Sequence, residues 1–186
     1  MRADFRVVLD ACVLANFSVC DLMLRLAETP RLYLPQWSTD ILRETENAHL
    51  QKLGWRPEVA ASFQRGVRTA FPEALVAGYE ALIGECQNQA KDRHVLACAI
   101  RCQAEVIVTF NMRDFPSDAL VPWNVTAQPP QEYLLTLYSM DPVIVLHKLE
   151  AIARKRGRTM EDYLIDLGRY VPPFARKVWS DISEAS

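Results

Sequence analysis

The sequence predicts an α/β fold, with a central parallel sheet between helical layers and a C-terminal helical extension. Three observations carry that expectation. FRVVL at residues 5–9 and EVIVTF at 105–110 are β-branched, apolar runs without clear polar alternation, as expected for strands buried on both faces. The second run follows directly on DRHVLACAIRCQ at 92–103, and a helix feeding straight into such a strand is the closing half of a β-α-β unit. Beyond Pro129-Pro130 the strand signals stop and helical patterns continue to the end.

Taken in order, residues 12–27 carry Leu14, Phe17, Leu22, Leu24 and Leu26 through a helix-length segment. RLYLP at 31–35 reads as a short extended piece. Ser38 is a good helix N-cap, with Trp37 in position to staple onto Leu42, and the helix it opens carries Ile41, Leu42, Thr45, Ala48 and His49. PEVAASFQRGVRTA at 57–70 starts with proline and spaces Val59, Phe63 and Val67 four apart, a second helix. In 92–103 the stripe of Val95, Leu96, Ala99 and Cys102 is widened by Ala97, Cys98 and Ile100, so only Arg93 and Arg101 read as solvated. WNVTA at 123–127 is a candidate edge strand. Segments 131–140, 142–155, 159–169 and 173–182 read as helices, punctuated by Asp141-Pro142 and Arg156-Gly157. The division expected is a domain at 1–128 and a helical extension at 129–186 packed on it.

Composition narrows the class. The 186 residues, half of them hydrophobic, suffice for one sizeable core. The net charge of −2 gives no global preference for nucleic acid, so any such surface must be a local patch. The five cysteines include no CxxC pair, and the three histidines are scattered, which reads as buried reduced thiols and excludes a zinc pattern. Asp10 interrupts the N-terminal apolar stretch, so it is not a signal peptide, and no apolar run is long enough to span a bilayer. A soluble, cytoplasmic protein is expected, with no membrane partner. Neither a GxGxxG nor a P-loop is present, which weakens a flavodoxin-like or nucleotide-binding reading.

Sites in parallel sheets form at the C-terminal ends of the strands. Asp10 immediately follows the first strand, and Asn111 and Asp114 follow the second, in VTFNMRDFP. Asp92 starts the helix leading into that second strand, and Glu44 lies near the inward edge of the Ser38 helix. Each has a bland alternative: Asp92 as an N-cap, Asp114 as a turn residue, Glu44 as a solvated carboxylate. Asp10 is hardest to dismiss, because apolar residues flank it and no cation stands nearby in the chain. Carboxylates gathered in one crevice repel, and a divalent cation relieves that. An all-oxygen set favours Mg²⁺ or Mn²⁺.

DACVL after a strand, a helix with Trp-Ser-x-x-Ile-Leu-x-Glu, KDRHVLACAI and VIVTFNMRDFP together resemble the PIN-domain family. These are Mg²⁺-dependent ribonucleases that include the VapC toxins of bacterial toxin–antitoxin pairs. The resemblance covers about the first two-thirds of the chain and implies a PIN-like three-layer α/β/α fold. It also implies an endoribonuclease that hydrolyses RNA phosphodiesters, with a cognate antitoxin and a possible homodimer. Position by position it assigns Asp10, Glu44, Asp92 and Asp114, with Asn111, to catalysis and to binding one or two Mg²⁺ or Mn²⁺ ions. The chain departs from the pattern at Cys12, where relatives usually carry Asn, Ser or Thr, and at Lys91, where close relatives often carry a further acid. Those departures keep open an alternative, a catalytically weak or inactive PIN-like scaffold that binds RNA or a protein partner.

A single-stranded or looped RNA needs cations for its phosphates and aromatic faces for its bases. Arg93 and Arg113 are the substrate-binding candidates beside the acids, with Arg43 a further cation. Lys52, Trp55 and Arg56 form a small basic-aromatic cluster, and 154–158 (RKRGR) is the most basic run. That run also reads as a solvated helix end. Stripes such as Tyr133, Leu134, Leu137 and Tyr138, and later Tyr163, Leu164 and Leu167, are expected mostly to pack on the domain, any excess being available to an antitoxin.

Overall fold

The computed structural model describes residues 5–184. Strand β1 (Arg6–Leu9) buries Val7, Val8 and Leu9 to within 1% exposure, which explains why its sequence does not alternate. The helix expected over 12–27 is two helices, α1 (Ala11–Ala15) and α2 (Phe17–Ala27). Asn16 breaks them, taking a non-helical φ of −81° and ψ of 98° while its side chain caps α2 by accepting from Val19 N at 3.2 Å.

The extended piece expected at 31–35 lies further along, as β2 (Leu34–Ser38). Trp37 is therefore a buried strand residue, edge-on to Phe71 at 5.9 Å, and not a helix staple. Ser38 does both jobs: it ends β2 and caps α3 (Thr39–Asn47), accepting from Ile41 N at 3.2 Å. A π-helical turn, Ala48–Lys52, extends α3, and α4 (Pro57–Ala70) follows. β3 (Leu75–Val76), with no counterpart in the sequence reading, adds a two-residue edge. Helix α5 (Arg93–Cys102) ends where Gln103 turns left-handed at φ 57° and leads into β4 (Val106–Val108). After α6 (Ser117–Leu120) comes β5 (Thr126–Gln128), later than the expected 123–127 because Trp123 closes a 3₁₀ turn and Asn124 takes φ 55°.

All four strand pairings are parallel, in the order β3-β2-β1-β4-β5. Helix α5 packs against β1, β2, β3 and β4, and α2 packs on β2, giving the three-layer α/β/α fold. The chain leaves β1 towards β2 on one side and later enters β4 on the other. The C-terminal ends of β1 and β4 therefore flank the point where the winding reverses, the standard position for a ligand crevice.

The remaining helices are α7 (Pro130–Met140), α8 (Pro142–Lys155), α9 (Met160–Leu167) and α10 (Pro172–Glu184). Their apolar stripes turn inward: Leu134, Leu137, Tyr163 and Leu167 are at most 1% exposed. Tyr133 meets Tyr33 edge-on at 5.6 Å, and Lys148 on α8 donates to the Glu28 and Thr29 carbonyls at the end of α2. Arg156 pairs with Asp21 at 2.7 Å. Among the described residues no helix is long and apolar enough to cross a membrane.

Candidate active site

Asp10 sits at the first residue past β1, 3% exposed. Its backbone N–H donates to Val108 O at 3.1 Å, so the β1–β4 pairing itself fixes where the carboxylate stands. Oδ1 accepts from Ala11 N at 2.7 Å, and Oδ2 accepts from Thr109 Oγ1 at 2.7 Å and from Cys12 Sγ at 3.2 Å. The buried carboxyl is met by donors, with no ion pair to Asp10 among the described residues. Thr109, fully buried, also takes the Asn111 amide at 2.9 Å, which folds the chain after β4 back over the crevice.

Cys12 supports the acid despite being a thiol. Its sulfur accepts from Phe110 N at 3.3 Å while donating to Asp10. Burial and the adjacent Asp10 charge push its pKa up to about 12, so the proton stays on sulfur and the thiol remains a donor.

Asp92 closes a 3₁₀ turn, Ala90–Asp92, at the entry to α5, yet its side chain makes no capping hydrogen bond. The residue is 7% exposed and its Oδ2 has no hydrogen-bond donor. Lys91 Nζ approaches that oxygen at 3.4 Å, an ion-pair contact without hydrogen-bond geometry, and bonds Asp114 Oδ2 at 2.8 Å. Burial raises the Asp92 pKa to about 6; Lys91 opposes the rise, and the Asp10 and Asp114 charges add to it. The Asp114 carboxyl, hydrogen-bonded by Lys91, is held below its ordinary range.

Glu44, on α3, projects across from α5 and meets His94 Nε2 at 3.0 Å. Burial alone would lower the His94 pKa, but the Glu44 bond and the Glu44, Asp40 and Asp10 charges outweigh it, leaving a net rise. The imidazole thus holds the carboxylate in place from behind. Asp10, Glu44, Asp92 and Asn111 line one cavity of about 290 Å³, together with Lys52 and Lys91. Asp114 is joined to it through Lys91. Of the two arginines singled out in the sequence, Arg93 turns back to the Asn88 carbonyl at 3.3 Å, while Arg113 is exposed beside Asp114; neither lines the cavity. Sequence reasoning missed Thr109 and His94. The one available signal was a hydroxyl next to the end of EVIVTF, where an apolar residue would otherwise continue the run.

The donors suit a hard cation in two respects. They are carboxylate and amide oxygens, and one of them, Asp92 Oδ2, is buried without a hydrogen-bond donor. Their side chains are not gathered: among the described residues no three His, Cys, Asp or Glu groups stand close enough to share an ion.

No family model and no solved structure matches the chain. A curated protein of Mycobacterium tuberculosis does, under the name "Putative ribonuclease VapC50", at 38% identity over 122 residues, or 63% of this chain and 69% of that protein. With that identity over more than two-thirds of the relative, on a parallel sheet whose winding reverses beside Asp10, the chain belongs to the VapC-like PIN-domain family.

Proposed function

We propose that the protein is a Mg²⁺- or Mn²⁺-dependent endoribonuclease and the toxin of a type II toxin–antitoxin pair. One observation carries the reading: the buried Oδ2 of Asp92 has no hydrogen-bond donor, and Asp92 lines the same cavity as Asp10 and Glu44 at the switch point of the sheet. The VapC-named relative supports the ribonuclease class.

In this reading Asp10 and Asp92 would hold the cation, with Glu44, Asn111 and Asp114 as further oxygen donors. Once bound, the ion supplies acidified water and stabilises charge on the phosphoryl oxygens. Thr109, Cys12 and the Ala11 amide hold the Asp10 carboxyl in place, and His94 restrains Glu44. Lys91 must release Asp92 for the acids to close, and its exposed stem leaves it room to swing. Arg113 stands free beside Asp114 for a substrate phosphate. Residues 1–128 supply the nuclease unit and 129–186 the helical extension.

The test is cleavage of total RNA by purified protein. We expect cutting with Mg²⁺ or Mn²⁺, none with chelator, and a loss of at least 100-fold in Asp10→Asn and in Asp92→Asn (~3 kcal/mol or more). Cleavage surviving chelation, or surviving in both variants, ends the reading. Co-purification with the product of the adjacent reading frame tests the toxin assignment separately.

A second reading has its own observation. Lys91 already places a positive charge against Asp92 and Asp114, as in a scaffold that binds RNA or protein without cutting. Calorimetry separates the two, because such a scaffold takes up no Mn²⁺.

A further inference from the structure

A succession of aromatic and cationic side chains runs from the acid-lined cavity to a second one, with Lys52, Phe17 and Lys155 exposed and Trp55 and Arg156 half-buried. Lys52 lines the acid-lined cavity. Three residues on, Trp55 is stacked on the buried His49 ring at 3.9 Å and 7°, which fixes its orientation. Trp55 meets Phe17 edge-on at 6.4 Å, and Phe17 is 57% exposed at the first position of α2. The guanidinium of Arg156, at the end of α8, lies 5.0 Å over the Phe17 ring. Phe17 and Arg156 then open onto a second cavity of about 400 Å³, lined also by Lys155 and His147.

A single exposed phenylalanine needs no explanation. This one stands between an indole held by His49 and a guanidinium held by Asp21. The charges along the second cavity are not balanced. Its carboxylates, Asp21 and Glu28, are both taken up by arginines: Asp21 by Arg156 at 2.7 Å and Arg25 at 3.6 Å, Glu28 by Arg25 at 3.1 Å. Lys155 and His147 have no carboxylate partner among the described residues. Arg156 has a structural duty as well, tying α8 to α2 through Asp21. Exposure of Phe17 and Lys155 serves no such duty.

Rings alternating with cations are what a single-stranded nucleic acid requires, bases against the rings and phosphates against the charges. An RNA duplex hides its base faces and cannot use them. We propose that the strip from Lys52 through Trp55 and Phe17 to Arg156 and Lys155 is the track of a single-stranded RNA, leading one flank of the strand into the acid-lined cavity. The assignment rests on the nuclease reading for its choice of partner. It gives the helical extension a part in substrate recognition, since α8 contributes the far end of the track.

Binding is measured by fluorescence anisotropy with a labelled single strand of about 12 nucleotides and with the same sequence as duplex, in chelator so that nothing is cut. The wild type binds the single strand more tightly than the duplex. Phe17→Ala weakens single-strand binding about tenfold, Phe17→Tyr restores it, and Lys155→Ala weakens it and lowers the salt slope by about 1. Unchanged affinity in Phe17→Ala and Lys155→Ala overturns the track, as does absence of single-strand binding by the wild type. If that wild type nonetheless cuts RNA, the nuclease reading stands without the track. Binding through the strip with no metal-dependent cleavage leaves the track and removes the nuclease. If the variants lose only a protein partner and keep their RNA affinity, the strip is a protein interface and the proposal falls.

Discussion

Asp10 and Asp92 are both buried acids, but the protein treats them in opposite ways. Asp10 receives hydrogen bonds from Ala11, Cys12 and Thr109, whereas the Oδ2 of Asp92 receives none. The difference has a pH signature. The folded state holds the Asp92 proton up to about pH 6, against 3.8 for an ordinary carboxyl. Its stabilising contribution is therefore present below the unfolded value and lost as pH rises through about 6. Asp92→Asn removes that penalty. With chelator present, the variant is expected to melt a few degrees above wild type at neutral pH, on the order of 1–3 kcal/mol, and to converge with it towards pH 4. Thermal unfolding across pH checks this, and an equal or lower melting temperature at neutral pH contradicts it. Three of the four acids read from the sequence, Asp10, Glu44 and Asp92, line one cavity, and Asp114 is joined to it through Lys91. Their unequal treatment was not legible there, because it depends on Thr109 and Lys91 reaching across the fold at distances no local pattern encodes.

Elements were legible where they were long and wrongly bounded where a single residue served two of them. Ser38 ends β2 and caps α3, so reading Trp37-Ser38 as a helix opening drew Trp37 out of its strand. β3 has two residues, too few to show any period. Asn16, one of several polar residues in the segment, passed as part of one helix although it caps a second. Asn16→Ala takes the cap from α2. The expected loss is about 1 kcal/mol, or a melting temperature 2–4 °C lower. Circular dichroism on heating measures it, and no change would mean that α2 is held by packing on β2 and α8 alone.

At the scale of the molecule, the change of character at Pro129-Pro130 was plain in the sequence, and α7 starts at Pro130. The stripes of the last four helices, expected mostly to pack on the domain, do turn inward, while Val143, Ile165 and Trp179 on the same helices stay exposed. Tyr133, Leu134, Leu149, Tyr163 and Phe174 are all buried, and α8 covers α2 while Tyr133 covers Tyr33. The stripes considered for an antitoxin are thus already occupied by the protein itself. A chain ending at residue 128 is expected to expose that face and to aggregate, without a cooperative melt by calorimetry and without a monomer peak in size exclusion. A soluble, cooperatively melting fragment would show that the extension is an addition and not a wall of the core.

Lys91 has a consequence for how the cavity responds to its surroundings. A divalent ion bound as proposed would have to compete with a tethered amine for the same negative charges, and the amine can never be diluted away. Half-saturation would then fall where the free ion displaces that intramolecular rival. On the proposed nuclease reading, the divalent pool of the cell would throttle whatever chemistry the cavity performs.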